Sequence, residues 1–303
     1  MYFSTYVYDN KTLLGVLNKE KTGMIPLREI YERYGRKYNL GECPSDMLTL
    51  IEQSQEVQMD IWKGILEEED INKLVLDLKE IKLCAPIPYP RRNIFCVGKN
   101  YIDHAKEVGA VFGDLPKYPT LFSKVASPAI GDGDYIDSHP GIVEKLDYEV
   151  ELAVVIGKEG KNISKEEAED YIFGYTIVND VSARTLQKLH EQWHKGKSLD
   201  TFCPMGPYIV LKNEIPLPIN LEIVCKVNDE IRQKSNTSCL VFDIPTLIHV
   251  LSQGLTLKPG DVIATGTPAG VALGFEPEDM YLKPGDVVEC SIEKIGILKN
   301  IVK

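Results

Sequence analysis

The segment LDYEVELAVVIG, residues 146–157, predicts a β-strand that begins among acids and continues as an apolar run. Side chains two residues apart on a strand point to the same face, so Glu149 and Glu151 would project together. Every residue from Leu152 to Ile156 is apolar, which predicts that this strand enters a core. Two like charges at the edge of a core are costly unless a cation or a proton neutralises them. An exposed face with two solvated glutamates explains this segment equally well.

A second strand strengthens the metal interpretation. YTIVND, residues 175–180, is apolar and also ends in an acid, Asp180. Carboxylates from two strand ends would form a hard, oxygen-only site, which suits Mg²⁺ or Mn²⁺. Neither histidine nor cysteine adjoins these acids in the sequence, which argues against zinc. The sequence therefore predicts a magnesium or manganese site at Glu149, Glu151 and Asp180.

The composition is that of a globular protein. The chain has 303 residues, 44% hydrophobic and 26% charged, enough for one large domain or two. Its formal net charge of −11 argues against nucleic-acid binding through a basic face. The sequence contains no run of 18 apolar residues, so no membrane span is predicted. The first residues lack a signal-peptide pattern. The seven scattered cysteines include no CxxC pair, so we expect no disulfide framework and a cytoplasmic location.

The chain is predicted to consist of two modules. Residues 1–83 form a small N-terminal α/β module, with a β-hairpin in YFSTYVYD and LLGVL and helical periodicity over 44–66. Residues 84–93, CAPIPYPRRN, carry three prolines in five positions and predict an extended linker. Residues 94–303 form the larger, β-rich module.

Several further elements are predicted in the larger module. Helices are expected over 164–174, 181–196 and 244–254, a strand over 93–98, and a hairpin over 221–233 that turns at Asn228-Asp229. The sequence LKPGDV occurs at 257–262 and again at 282–287. We interpret this repeat as two similar turns that each lead into a strand.

A histidine–glutamate pair is a candidate general base. KNYIDHAKEVG, residues 99–109, has the pattern of a short helix, on which His104 and Glu107 lie on one face. A carboxylate beside an imidazole orients the ring and raises its pKa, as a general base requires. A pair exposed on the surface is the alternative interpretation.

The segment HEQWH, residues 190–194, matches the H-E-x-x-H pattern of zinc peptidases. A zinc site would also need a third ligand, for which Asp200 and Glu214 are the candidates. The expected glycine is absent, because Lys197 occupies its place. A helix face with two exposed histidines is the alternative.

Two loops could contact an anionic substrate. TGTPAG, residues 265–270, follows a strand but lacks the Lys-Ser/Thr ending of a P-loop, so nucleotide binding is not indicated. Its hydroxyl and N–H groups could hold a carboxylate, although a plain tight turn fits equally well. Lys197, in GKSLD, is a possible counter-charge for such a substrate.

Six motifs occur in an order that resembles the fumarylacetoacetate hydrolase family. They are GKNYIDHAKE, PTLFSK, DYEVELAVVIGK, GYTIVNDVSAR, GKSLDTFCPMGP and IATGTPAGV, and together they span roughly residues 90–300. The first module is similar to the N-terminal part of longer bacterial members. The resemblance is closest to a bacterial subgroup of about this length that includes oxaloacetate decarboxylases.

The resemblance implies a fold and a set of site residues. The implied fold is α+β and β-rich, a mixed β-roll catalytic domain with the small N-terminal module, in a homodimer. Glu149, Glu151 and Asp180 match the metal ligands of the family. The residues with implied catalytic roles are His104, Glu107 and Lys197. His104 and Glu107 match a pair carried on a lid over residues 99–113. The positions that match substrate contacts are Lys124, Gln187 and Thr267.

The resemblance also implies a class of reaction. The family's enzymes act on small 2-oxo diacids or 1,3-dicarbonyl acids through an enolate that Mg²⁺ or Mn²⁺ stabilises as a Lewis acid. Oxaloacetate decarboxylation is the first expectation. The alternatives are hydrolysis of acylpyruvate or fumarylpyruvate, and isomerisation or decarboxylation of hydroxymuconate-type diacids. An interaction or scaffolding role on the same fold is the alternative from another class.

Overall fold

The computed structural model describes residues 1–54, 59–109, 117–126, 128–275 and 280–303. Over these residues the chain has the predicted β-rich α+β fold, built on two large sheets and one two-stranded sheet. The helices are α1 (Leu27–Tyr38), α2 (Met47–Gln53), α3 (Met59–Ile65), α4 (Ile102–Glu107), α5 (Arg184–Leu189), α6 (His194–Lys197) and α7 (Ile244–Ser252). No helix in these ranges is long and apolar enough to cross a membrane.

The strands fall into an N-terminal group, a central group and a C-terminal group. The first comprises β1 (Tyr2–Tyr8), β2 (Lys11–Leu17), β3 (Gly23–Pro26), β4 (Leu76–Asp77) and β5 (Lys82–Leu83). The second comprises β6 (Ile94–Gly98), β7 (Thr120–Lys124), β8 (Tyr135–Ile136), β9 (Leu146–Asp147), β10 (Val150–Ile156), β11 (Ile172–Asn179), β12 (Ser182–Ala183) and β13 (Met205–Leu211). The third comprises β14 (Glu222–Val227), β15 (Glu230–Asn236), β16 (Val262–Ala264), β17 (Val287–Ile292) and β18 (Gly296–Val302).

The large sheet joins the N-terminal strands to the central ones. Its order over the described residues is β4-β3-β2-β1-β13-β11-β10-β16-β6-β7, with β5 paired to β1. The connection is antiparallel pairing of β1 with β13, where Tyr2 faces Val210 and Phe3 faces Ile209. The two predicted modules thus share one sheet, and their division at 84–93 stays a prediction.

The second sheet contains the hairpin expected over 221–233. Its strand order is β15-β14-β17-β18-β8 across the described residues. The hairpin turns at Asn228 and Asp229, whose φ angles of 50° and 66° fit the two left-handed positions of a type I′ turn. Both LKPGDV turns are confirmed as well. Asp261 Oδ2 accepts the Lys258 N–H at 2.7 Å, and Asp286 Oδ2 accepts the Lys283 N–H at 2.7 Å.

The strand β10 is buried on both faces, as its apolar run predicts. Its even-numbered residues, such as Leu152 and Val154, pack in a core shared with the second sheet. Its odd-numbered residues Ala153 and Val155 pack in a second core with the N-terminal helices. All seven residues of β10 are buried. The acids at the start of β10 are therefore held at the edge of a rigid core.

Two of the helix predictions were wrong in extent. Residues 164–174 form only a 3₁₀ turn, Ala168–Tyr171, because the aromatic and β-branched residues that follow enter β11. The helix expected over 181–196 is split into α5 and α6, with Glu191 at φ 57° between them. The helix expected over 244–254 is confirmed as α7, where Asp243 caps the Thr246 N–H at 2.9 Å.

Candidate active site

Three carboxylates converge where β10 begins and β11 ends. The two strands are antiparallel and Val150 faces Asn179, so Glu149 and Glu151 lie beside Asp180. One oxygen of each of these three acids lies within 4.8 Å of the others, and all three residues are buried. Within the described ranges this is the sole group of three or more acidic, histidine or cysteine side chains with such spacing. The convergence agrees with the prediction from strand periodicity.

Three buried cations surround the three acids. Lys197 Nζ lies 2.8 Å from Glu149 Oε2 and 2.6 Å from Asp180 Oδ2. Arg184 Nη2 lies 2.7 Å from Glu149 Oε1, and Lys124 Nζ lies 2.7 Å from Asp180 Oδ1. Each cation is at most 5% exposed, so these ion pairs are shielded from water. Glu149 and Asp180 are thereby each held by two cations.

Glu151 differs from the other two acids. It forms no ion pair with any described lysine or arginine, and its Oε2 accepts the Gly266 N–H at 2.8 Å. Burial, together with the negative charges of Asp180 and Glu149, raises the pKa of Glu151 well above its usual value. For Glu149, burial opposes ionisation, but Lys197 and Arg184 outweigh burial and lower the pKa. The chemistry of this donor set, three carboxylates of which one has no ion pair with a described lysine or arginine, fits a bound divalent cation.

His104 and Glu107 form the predicted pair on α4. His104 Nδ1 lies 3.1 Å from Glu107 Oε2, and both side chains are largely buried. Glu107 Oε1 accepts the Gly270 N–H at 2.9 Å. An ionised carboxylate only accepts hydrogen bonds, so this contact favours the tautomer of the neutral ring with its proton on Nδ1 and its lone pair on Nε2. Of the lid predicted over 99–113, residues 110–113 lie outside the described part of the chain.

These groups surround a small, partly open cavity of ≈ 20 Å³. The candidate residues that line it are His104, Glu149, Glu151, Gln187, Lys197 and Thr267. Three other candidate residues do not line the cavity in the described structure, but each forms an ion pair or hydrogen bond with another site residue: Asp180, Glu107 and Lys124. The cavity is about the size of one water molecule, so a substrate must displace part of its wall.

The three predicted substrate contacts have different surroundings. Gln187 Oε1 accepts a hydrogen bond from Arg184 Nη1 at 3.0 Å. Thr267 Oγ1 donates to the Val150 carbonyl at 3.0 Å and accepts from Gln233 Nε2 at 2.8 Å. Lys124 Nζ is fully buried and donates to the Val181 carbonyl at 2.9 Å as well as binding Asp180. Contact of these three residues with a substrate stays a prediction.

The structure does not place HEQWH on one helix face. His190 ends α5, and His194 begins α6 after the chain has reversed at Glu191. His194 Nδ1 contacts Ser123 instead, 3.0 Å from its carbonyl oxygen. The two candidate third ligands make other contacts. The backbone carbonyl of Asp200 lies beside His139, and the Glu214 carboxylate binds the Met1 amino group. The described histidines therefore offer no zinc site.

Sequence reasoning missed three residues of the site. Asp147 and Arg184 form a buried ion pair at 2.8 Å, through which Asp147 supports the cation that binds Glu149. Asp147 could have been found, because it precedes Glu149 by two residues in DYEVE. Trp193 also lines the cavity and packs edge-on against Phe122, with ring centroids 5.2 Å apart. Nothing in the sequence distinguishes this tryptophan from a core residue.

Fold and site together are those of a β-rich enzyme with a buried cluster of three carboxylates beside a histidine–glutamate pair. The chain belongs to the fumarylacetoacetate hydrolase family, since the family model for the fumarylacetoacetate hydrolase C-terminal region matches residues 93–303. The resemblance stated from the six motifs is thereby confirmed.

Similar proteins cover the whole chain. It is 43% identical over 306 aligned residues to oxaloacetate tautomerase YisK of Bacillus subtilis, across 99% of both chains. Among solved structures, a fumarylacetoacetate hydrolase from Exiguobacterium antarcticum matches with a TM-score of 0.82 and 37% identity, covering 100% of this chain and 99% of that one. A 5-carboxymethyl-2-hydroxymuconate delta-isomerase from Mycobacterium smegmatis matches with a TM-score of 0.73 and 31% identity, covering 100% and 98%.

Proposed function

We propose that this protein is a Mg²⁺- or Mn²⁺-dependent enzyme that interconverts the keto and enol forms of a small 2-oxo diacid. Oxaloacetate is the first substrate to test, because a relative that is 43% identical over its full length is named an oxaloacetate tautomerase. The observation that carries the proposal is the buried group of Glu149, Glu151 and Asp180 beside His104. These are the groups that a reaction through an enolate needs.

The metal would be held by Glu149, Glu151 and Asp180. Counting Asp147, the acid cluster has four carboxylates, and the cations paired with it are Lys124, Arg184 and Lys197. A divalent ion would add positive charge to this cluster, which suits an anionic substrate. When bound, the ion supplies a Lewis acid that stabilises negative charge on a keto oxygen. Magnesium and manganese both fit an all-oxygen donor set.

His104 would move the proton. Glu107 holds the imidazole through Nδ1, so Nε2 is the basic nitrogen of the ring. A ring fixed in this way can remove a proton from C3 of a 2-oxo acid and return it, which is keto–enol interconversion. The 6% exposure of His104 keeps competing water away from this exchange.

Lys197 would stabilise the negative charge that develops in the substrate. Its ammonium group is fixed by Glu149 and Asp180, so it needs little reorganisation during the reaction. Gln187 and Thr267 line the same cavity and would contact a substrate carboxylate. Lys124 lies behind Asp180, where its contribution would be to orient that acid.

Oxaloacetate decarboxylation, the first expectation from the sequence, becomes the second candidate. Loss of CO₂ produces an enolate that the same cations would stabilise, but it does not require a base in that step. The observed His104–Glu107 pair therefore favours the tautomerase reaction. Hydrolysis of an acylpyruvate needs a base and also a water molecule next to the substrate, and the panel assay below tests it as an alternative.

A panel assay tests the proposed function. Purified protein with Mg²⁺, with Mn²⁺ or with EDTA would be given oxaloacetate, acetylpyruvate, fumarylpyruvate and a hydroxymuconate-type diacid. Enol absorbance follows tautomerisation, and CO₂ release follows decarboxylation. We expect metal-dependent turnover that is fastest for enol–keto interconversion of oxaloacetate. Turnover that is unchanged in EDTA, or absent with oxaloacetate under all conditions, would contradict the proposal.

Two other expectations need separate tests. A homodimer would show twice the chain mass of 34.0 kDa in light scattering after gel filtration. An interaction or scaffolding role would survive loss of catalysis, so a Glu151→Gln variant that rescues a deletion phenotype would support such a role.

A further inference from the structure

The loop that follows β16 presents backbone N–H groups to three carboxylates of the site. Gly266 donates to Glu151, and Ala272 donates to Asp147 at 2.8 Å. Between these two contacts, Gly270 donates to Glu107 on the helix α4. This third contact joins the candidate base on α4 to a loop 163 residues further along the chain.

Gly274 leaves the space that Glu107 occupies, and Gly270 lets the loop pass close to the Arg232 backbone. A Cβ on Gly274 would lie 2.4 Å from Glu107 Cδ, Cγ and Oε1, distances that real Cβ atoms do not reach. Gly270 has a φ of +104°, and a Cβ there would lie 1.9 Å from the Arg232 carbonyl oxygen. Residue 270 can therefore direct its N–H at Glu107 only as glycine.

We propose that Gly270 and Gly274 form a seat that positions Glu107 and, through it, His104. The seat acts on both oxygens of one carboxylate: Oε1 is held by the Gly270 N–H, which directs Oε2 to His104 Nδ1. A displaced Glu107 would leave the imidazole without its orienting partner, in the wrong rotamer or tautomer. Both glycines are positioning residues, and their effect on turnover rests on the function proposed above.

Gly274 offers a clean test because its backbone accepts an alanine. Its φ lies outside the left-handed region, and the nearest atoms a Cβ would meet all belong to the flexible Glu107 side chain. Gly274→Ala should therefore fold and move Glu107. Gly35→Ala is the matched control, since a Cβ there meets nothing within 4 Å and Gly35 lies on α1.

The first measurement is hydrogen exchange at the Gly270 amide, which needs no turnover. We expect the amide to exchange at least about tenfold faster in Gly274→Ala and in Glu107→Ala than in the wild type or Gly35→Ala. Unchanged exchange in both variants would overturn the seat even if the enzyme is active. If Gly274→Ala does not fold, Glu107→Ala alone still decides this point.

The second measurement is a double-mutant cycle on kcat for oxaloacetate. Gly274→Ala should lower kcat toward the about 10²–10⁴-fold loss typical of removing a general base, with little change in Mg²⁺ affinity. In a Glu107→Ala background the same substitution should cause no further loss. Equal losses in both backgrounds would overturn the proposal. The two proposals can fail separately. If the proposed function is wrong, the wild type does not turn over oxaloacetate, but the Gly270 amide still exchanges faster in the variants.

Discussion

The ammonium of Lys197 lies 2.6 Å from the Asp180 carboxylate, and both side chains are almost fully buried. Lys197 also binds Glu149, so one cation bridges two of the three clustered acids. Burial lowers the pKa of Lys197, but Asp180 and Glu149 outweigh burial and raise it above its usual value. Lys197 is therefore charged across the neutral pH range and is part of the stability of the fold.

Replacing Lys197 should destabilise the metal-free protein. Lys197→Met leaves two buried carboxylates partly uncompensated, and breaking a buried ion pair in this way costs about 3–5 kcal/mol. Lys19→Met, which breaks the exposed pair with Glu67, should cost less than about 1 kcal/mol. Urea denaturation in EDTA measures both values. Similar costs for the two substitutions would contradict the importance of Lys197 for the buried cluster.

Glu151→Gln should abolish metal-dependent activity and leave the fold intact. Because Glu151 is the acid without an ion pair to a described lysine or arginine, removing its charge relieves repulsion from Asp180 and Glu149. We expect the melting temperature in EDTA to be no lower than in the wild type, while the stabilisation by Mg²⁺ disappears. Glu222→Gln, at an exposed acid paired with Lys234, is the control. Full activity in Glu151→Gln would remove the residue from the metal site.

His104→Ala should separate proton transfer from decarboxylation. Tautomerisation and hydrolysis both need a base, and removing one typically lowers the rate by about 10²–10⁴-fold. Decarboxylation mainly needs an electron sink, so its kcat should fall less. The measurement is kcat for enol–keto interconversion and for CO₂ release at saturating Mg²⁺. Equal losses would contradict this division of roles, and unchanged rates would show that His104 is not in the site.

Trp193 should limit the size of the substrate. Its indole rests on Gly98, where a Cβ would lie 2.3 Å from Cζ3, and it forms a wall of the cavity. Trp193→Ala opens this wall, so kcat/KM for longer acylpyruvates should rise relative to oxaloacetate by about tenfold or more. Gly98→Ala should press the ring into the cavity and lower kcat/KM for oxaloacetate.

Tyr89→Ala, at a side chain that is 65% exposed, is the control for loss of an aromatic residue. An unchanged ratio of kcat/KM values in Trp193→Ala would show that the indole does not limit substrate size.

The predictions that the structure confirms depend on local periodicity. Glu149 and Glu151 are two residues apart on one strand, and Asp180 ends another, so their convergence follows once β10 and β11 pair. The LKPGDV turns and the Asn228-Asp229 turn depend on residues within four positions of each other. Short-range geometry of this kind is determined by residues that are close together in the sequence.

The helix expected over 181–196 shows where periodicity alone misleads. Gly196 allows α6 to pack directly on α5, since a Cβ there would lie 2.4 Å from the Gln187 nitrogen. The reversal at Glu191 then brings Trp193 to Phe122 and His194 to Ser123. These partners lie about 70 residues earlier in the chain, so no local pattern could predict them.

By itself, the sequence determined the three acids on their strands and the His104–Glu107 pair on its helix, because backbone periodicity sets which neighbouring side chains share a face. Only the tertiary structure decided which cation binds which acid, why Glu151 pairs with no described lysine or arginine, and how Gly270 and Gly274 hold Glu107. Those relationships join segments as far apart in the chain as Glu107 and Gly274, and they depend on close packing, which no local pattern encodes.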